Sequence, residues 1–272
     1  MAAWQDARDE TALVANGLKL GISTCPNDTF IYQNLIEGKV KTPCPILIEY
    51  ADVQTLNESV LAGNLDIAKV SCAVYPLIKD KYSILDSGGA MGYGCGPLLL
   101  SCFSEKFETK FPIYLPGKQT TAAALFNFWK KSKNIKYIRF DELYRNLCEK
   151  KIEQGVVIHE HRFIWQRDGL HLIADLGAFW EQELQAPIPL GCTVIKKNLG
   201  EALAKEMDLC IQKSLRLAWE RKEPITSFIR KLAQISDDSV ILQHIKMFVN
   251  NYSLNRGKEG ETALRILEKN LK

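Results

Sequence analysis

Apolar residues come in short bursts over the first two-thirds of the chain and at three- to four-residue intervals over the last third. Leu18-Lys-Leu-Gly-Ile-Ser23 reads as a strand. The turn Cys25-Pro-Asn-Asp-Thr29 follows, and Asn27 or Asp28 is placed to cap the apolar helix 30–36, because short polar side chains accept from amides the first turn leaves unpaired. A second strand is predicted at 46–50 and a helix over 55–61, closed by Ala62-Gly63. A short strand at 66–70 and a short helix at 73–78 follow. This alternation is the grammar of an α/β domain with a largely parallel sheet.

The alternation restarts further on. Strands are predicted at 97–101, 111–115, 136–140 and 155–158, with helices at 120–130 and 143–150. Segments 187–191 and 192–196 read as a return crossing. Leu203, Met207, Ile211 and Leu215 then form an i, i+4 row, which places one helix face on a core. Further helices are predicted at 225–233, 238–250 and 260–271. The fold expected is α/β and two-lobed. Residues 17–102 plus 190–272 build the first lobe, 103–189 are inserted as the second, and 1–16 form a loose extension. The chain crosses between lobes near 102 and near 190. Strand C-termini and helix N-termini of both lobes then meet at one cleft, where α/β proteins bind ligands.

Composition narrows the classes. The 272 residues are 46% apolar and 25% charged, and Lys+Arg 35 against Asp+Glu 32 leaves +3. So balanced a chain has no whole-molecule field to attract nucleic acid or an anionic membrane. The eight cysteines are irregularly spaced with no CxxC pair, which predicts free thiols in a reducing cytoplasm. The first sixteen residues carry Asp6, Arg8, Asp9 and Glu10 and lack the apolar centre of a secretion signal. No apolar run reaches the ~18–20 residues of a membrane span.

Three places carry candidate chemistry. Thr120-Thr-Ala122 opens a helix after Pro116-Gly117, so free amides and the positive helix end suit a carboxylate, although a plain N-cap explains the threonines as well. Lys69-Val70-Ser71 lies where a short strand passes into a helix, a position suited either to capping or to a polar ligand. His159 ends the strand 155–158 at the cleft, where an imidazole can act as a general base; a hydrogen-bonded structural histidine is the plainer reading. His159 and His161 share a face if that strand continues, but two ligands two residues apart are a weak zinc signal, and no metal is expected. The run Gly88-Gly-Ala-Met-Gly-Tyr-Gly-Cys-Gly96 fits no phosphate loop and predicts positive φ or close backbone approach near the first crossing. Trp165, Phe179 and Trp180 suit either a ring-binding wall or, more ordinarily, the core.

A resemblance runs through these segments from about residue 18 to about 268. Ser23-Thr-Cys-Pro-Asn-Asp-Thr-Phe30, Asp66-Ile-Ala-Lys-Val-Ser71 and Ser87-Gly-Gly-Ala-Met-Gly-Tyr-Gly-Cys-Gly-Pro97 are similar to successive motifs of the 1,4-dihydroxy-6-naphthoate synthases of the futalosine route to menaquinone. Gly117-Lys-Gln-Thr-Thr-Ala122, Val157-Ile-His-Glu-His-Arg-Phe163, Asp175-Leu-Gly-Ala-Phe-Trp180, Pro187-Ile-Pro-Leu-Gly191 and Phe248-Val-Asn-Asn-Tyr-Ser253 continue the match in order. The resemblance implies a periplasmic-binding-protein-like (type 2) fold with two interlobe crossings, used as an enzyme. It implies conversion of cyclic dehypoxanthinylfutalosine to 1,4-dihydroxy-6-naphthoate, a lyase reaction on a small-molecule carboxylate, without cofactor or metal. It places the proton-abstracting histidine at His159 and substrate contacts at Lys69, Val70, Ser71, Thr121 and Ala122, with Asp28 facing the same cleft. Thr24 replaces an expected proline, and His161 an expected small polar residue. Three other readings stand beside it: a solute-binding protein without chemistry, which the missing secretion signal disfavours; a chorismate dehydratase-like enzyme, which the Cys25-Pro-Asn-Asp28 and His159 segments disfavour; and a regulator's effector domain, which the lack of a recognisable DNA-binding helix pair before Leu18 disfavours.

Overall fold

In the computed structural model, which describes residues 17–271, two mixed sheets lie along the chain. The expected extension 1–16 falls outside the described residues. The first sheet begins with β1 (Leu18–Ile22), whose Leu18, Leu20 and Ile22 are fully buried while Lys19 points to solvent. Helix α1 (Pro26–Ile36), strand β2 (Ile46–Tyr50), helix α2 (Val53–Ala62) and strand β3 (Ile67–Ser71) follow. A 3-10 turn at Cys72–Val74 leads to the short α3 (Tyr75–Ile78), β4 (Tyr82–Ile84) and β5 (Ala90–Gly92). The order across the sheet is β2-β1-β3-β11-β4, where β11 (Ile188–Lys196) also pairs with β5. Strands β2 and β3 run parallel to β1, whereas β11 runs antiparallel to β3, with Gly191 opposite Ser71.

The second sheet contains β6 (Leu98–Ser101), β7 (Ile113–Leu115), β8 (Ile135–Tyr137), β9 (Gln154–Val157) and β10 (His171–Asp175), in the order β10-β6-β9-β7-β8. Its helices are α4 (Thr121–Trp129), α5 (Phe140–Cys148) and α6 (Leu176–Leu184). Helices α7 (Glu201–Trp219), α8 (Ser227–Leu232), α9 (Asp238–Phe248), α10 (Asn251–Leu254) and α11 (Gly257–Asn270) complete the chain. Met207, Ile211 and Leu215 of the predicted row on α7 are fully buried, in one apolar cluster with Leu18, Leu20 and Phe30. The first sheet thus packs on helices from the far end of the sequence, and the second sheet is an insert.

Four expectations need correcting. Helix α1 is capped by Cys25, not by Asn27 or Asp28: Pro26 occupies the first turn, where its fixed φ and missing N–H cost nothing. Asp28 instead turns back and accepts from the backbone N–H and hydroxyl of Ser23. Strand β6 pairs in the second sheet, so the first passage between sheets precedes residue 98 rather than lying near 102. Segments 187–191 and 192–196 form the one strand β11, kept continuous by its ladders to β3, β4 and β5. Strand β10 and helix α6, read as neither, form because β10 pairs with β6 and Asp175 caps α6 by accepting from the amides of Gly177 and Ala178.

The glycine run behaves as expected. Gly88 and Gly94 have φ of +76° and +65°. Gly96, at the first passage, lies flush against Gly177, where a Cβ on Gly177 would sit 2.6 Å from the Gly96 Cα. Backbone on both sides leaves no room to yield. Gly96→Ala should therefore cost about 1–3 kcal/mol through overpacking. Urea unfolding measures it, and an unchanged midpoint contradicts the tight approach.

Candidate active site

The C-terminal ends of β1, β3 and β9 and the N-terminal end of α4 converge on one cavity of about 90 Å³ between the sheets. It is lined by Asp28 after β1, by Lys69, Val70 and Ser71 at the end of β3, by Thr121 and Ala122 at the start of α4, and by His159 after β9. All seven residues singled out in the sequence thus meet at one place.

The first-sheet wall is built around a buried ion pair. Lys69 Nζ lies 3.4 Å from Asp28 Oδ1, and both residues are buried. The ammonium also donates to the carbonyl of Gly88, while Asp28 accepts from Ser23 Oγ at 2.6 Å and from Asn27 Nδ2 at 2.8 Å. So many partners let two charges stay out of water. Ser71 is fixed by Asn57, whose amide group donates to the Ser71 hydroxyl at 3.2 Å and accepts from its N–H at 2.9 Å.

The opposite wall is the start of α4. Thr120 is the N-cap, its hydroxyl accepting from the Ala123 amide at 3.1 Å. The amides of Thr121 and Ala122 have no bonding partner among the described residues, which leaves them free to hold an anion with the helix dipole behind them. The Thr121 hydroxyl is engaged elsewhere. It donates to the Leu190 carbonyl at 2.8 Å and accepts from the Ala73 amide at 3.3 Å. Those partners lie on or beside the first sheet, so this side chain ties the two lobes.

His159 does not continue a strand. Strand β9 ends at Val157, and residues His159–Phe163 form a 3-10 turn. His159 has φ +58°, a left-handed conformation that disfavours a side chain and persists only where surroundings impose it. Its Nδ1 lies 3.5 Å from the Cys25 thiol, its ring packs edge-on to Phe140 at 4.7 Å, and its Nε2 is enclosed without a partner. Burial, partly offset by the Asp28 charge, lowers its pKa to about 4, so the ring is neutral at ordinary pH. The turn carries His161 away from the cavity to stack on Tyr144 at 4.1 Å, so no metal-binding face of His159 and His161 forms. Trp165, Phe179 and Trp180 do not line the cavity, and Trp180 is fully buried core.

Sequence reading missed three neighbours. Cys25 reaches the His159 ring from the α1 cap, and Glu160 and His244 lie buried behind that ring. Among the described residues, ligand atoms of Cys25, His159 and Glu160 form the one close group, within 4.8 Å of one another. Burial raises the Cys25 pKa well above its ordinary value, so the thiol keeps the proton a metal would need removed, and it raises that of Glu160 to about 7.

Residues 18–272 match the protein family described as menaquinone biosynthesis. The chain is 37% identical over 250 residues to a 1,4-dihydroxy-6-naphthoate synthase of Thermus thermophilus, covering 92% of each chain. To a protein of the same name from Streptomyces coelicolor it is 34% identical over 259 residues, covering 93% of this chain and 92% of the relative. The chain belongs to the 1,4-dihydroxy-6-naphthoate synthase family of menaquinone biosynthesis. Solved structures share its two-lobed, periplasmic-binding-protein-like fold. Protein AF1704 of Archaeoglobus fulgidus superposes with a TM-score of 0.88 at 24% identity, covering 93% of this chain and 96% of its own. The periplasmic aliphatic sulphonate-binding protein SsuA of Escherichia coli superposes at 0.62 with 9% identity, covering 93% and 87%. No helix among the described residues is long and apolar enough to cross a membrane.

His244, which is fully buried, and the half-buried His159 and His161 set an acid limit on stability. Burial lowers His159 and His161 to about 4 and His244 well below the ordinary 6.5. The unfolded chain then binds more protons than the folded one, so this contribution is complete above pH 6.5 and is lost as pH falls toward 4. Glu160, raised to about 7, acts with the opposite sign but is one group against three. The melting temperature should fall steadily from pH 6.5 to pH 4, and a flat profile contradicts the neutral burial of these rings.

Proposed function

We propose that the protein converts cyclic dehypoxanthinylfutalosine to 1,4-dihydroxy-6-naphthoate, as a carbon–carbon lyase, with His159 as general base. Family membership supports the reaction. The observation that carries the base is the His159 imidazole, held in a strained turn with an unpartnered Nε2 beside a cavity whose far wall presents two free amides. The ring is neutral at ordinary pH and therefore meets the substrate ready to take a proton. Proton removal next to an incipient aromatic ring lets elimination of the sugar-derived fragment gain aromatic stabilisation. The protein supplies a base, orientation and exclusion of water.

The Thr121 and Ala122 amides hold the substrate carboxylate, and Ser71, oriented by Asn57, holds a further polar group. Asp28 and Lys69 give the first-sheet wall a fixed field whose charges are already paired, so the pair orients rather than attracts. Asp28 also favours the protonated imidazole once it forms, since its charge raises the His159 pKa. Protein side chains and amides supply every group this reading uses, and it needs no cofactor. The setting is the cytoplasm, where the substrate's pathway would run.

The direct test supplies the purified protein with cyclic dehypoxanthinylfutalosine and follows 1,4-dihydroxy-6-naphthoate. Product supports the reading, and binding without product makes the protein a solute binder. Chorismate, offered separately, should be left unchanged. His159→Ala should keep the fold and ligand binding but lower turnover by at least ~10²-fold, within the range of general-base help; full activity in that variant contradicts the base. Thr121→Val should raise KM more than it lowers kcat, because lobe closure over the carboxylate weakens while the base stays in place. An unchanged KM in a folded variant contradicts the role given to the Thr121 hydroxyl as a lobe tie.

A further inference from the structure

Behind the cavity lies a second polar cluster that the site chemistry leaves unexplained. Glu160 is 1% exposed and His244 fully buried, yet neither carboxylate oxygen of Glu160 and neither ring nitrogen of His244 has a hydrogen-bond partner. Buried polar atoms are almost always satisfied, and four orphans in two facing side chains mark a place kept for something other than stability. Their separation is informative. His244 Nε2 stands 4.0 Å from Glu160 Oε2, and Glu160 presents an oxygen within 4.8 Å of both a His159 ring nitrogen and the Cys25 thiol. The His159 and His244 rings are 6.2 Å apart, centre to centre, with planes inclined by 30°. The carboxylate thus sits between two imidazoles. A charge-assisted hydrogen bond of about 2.8 Å is one small side-chain movement away on either side.

The cluster also spans the two halves of the molecule. His159 and Glu160 sit on the turn that follows β9 of the second sheet, whereas His244 comes from α9, which packs with α1 on the first. The titratable groups near Glu160 are His159 on its own turn, Cys25 from the cap of α1 and His244 from α9, with the Asp28 charge acting from α1. Arg162 is engaged elsewhere: its guanidinium points to Asp175 at 3.9 Å and to the Met247 sulfur at 2.8 Å. No cation among the described residues pairs with the Glu160 carboxylate, so its natural counter-charge is an imidazolium.

We propose that Glu160, steadied by His244 across the lobe junction, is the positioning residue that orients His159 and stabilises the imidazolium formed when that ring takes the substrate proton. The inference rests on His159 being the base. The reacting proton passes from substrate carbon to His159, and Glu160 neither gives nor takes it; the carboxylate offsets the positive charge it creates. Glu160 does this only when ionised. Burial raises its pKa to about 7, so the offset is present above that pH and lost below it.

The test combines kinetics with a readout that needs no turnover. In the wild-type protein kcat should fall in two steps on acidification, one near pH 7 and a second near pH 4 where His159 itself is protonated. Glu160→Gln keeps the shape and loses the charge. It should lower kcat at about pH 8 by roughly 10²-fold with KM changed less than about threefold, and abolish the upper step while leaving the lower one. Glu160→Asp should recover part of the loss. His244→Gln should lower kcat less, and the double variant should be no worse than Glu160→Gln, as residues acting as a unit require. With four histidines in the chain, ¹⁵N imidazole spectra are tractable. Glu160→Gln should move the His159 and His244 resonances and leave His171 in place. Wild-type kcat and an intact two-step profile in Glu160→Gln overturn the proposal even if His159→Ala is dead. An active His159→Ala instead removes the base on which it rests, while moved His159 and His244 resonances in Glu160→Gln would still report the cluster. Unmoved resonances overturn the contact itself.

Discussion

The cleft exists in its observed form because the segment after β9 turns at once, rather than extending, at the junction of the two halves. Its first side chain is then a histidine in the left-handed region, and its second a glutamate without a hydrogen-bond partner. Neither is what a chain adopts for stability. Packing from both sides holds them there. Phe140 lies against the His159 ring, Cys25 reaches it from the cap of α1, and His244 closes the back from α9. The site is therefore complete only when both halves are in place.

The same junction is also stitched by polar ties that do not involve the histidine. Thr121 bonds to Leu190 and Ala73, Asn57 donates to the Gln119 carbonyl at 3.2 Å, and Gln54 pairs with the Gln119 side chain at 2.5 Å. Asn57 serves twice, since it also orients Ser71. The residues that would bind substrate thus also report whether the lobes are together, which couples closure to the arrangement of the cleft. The Asp28–Lys69 pair lies on one wall and does not span the junction. It is a fixed part of the first sheet, and its many partners keep it there in the absence of ligand.

Much of this was legible in the sequence, for identifiable reasons. Strand β1 and helix α7 announce themselves because their apolar spacing is undiluted. Helix α2 does so because Gly63, at φ +77°, ends it as a left-handed cap should. The convergence of Asp28, Lys69, Ser71, Thr121 and His159 follows from strand ends and helix starts sharing one edge in an α/β fold. What was not legible depends on tertiary pairing. Strand β10 has no clean alternation and exists because β6 is beside it. The α1 cap went to Cys25 because Pro26 prefers the first turn. His244 looked like an isolated histidine, for nothing in its own helix indicates that Glu160, 84 residues earlier, packs against it. Long-range partners of that kind leave no local signal.

Whether the helix end and the imidazole act on one substrate is a question of geometry. A crystal structure of the His159→Ala variant soaked with cyclic dehypoxanthinylfutalosine answers it. The carboxylate oxygens should lie within about 3 Å of the Thr121 and Ala122 amides, with the proton-bearing carbon facing residue 159. A substrate lying instead in the outer groove beside Gln54, Lys118 and Arg139, with its reacting carbon turned from residue 159, would contradict both roles.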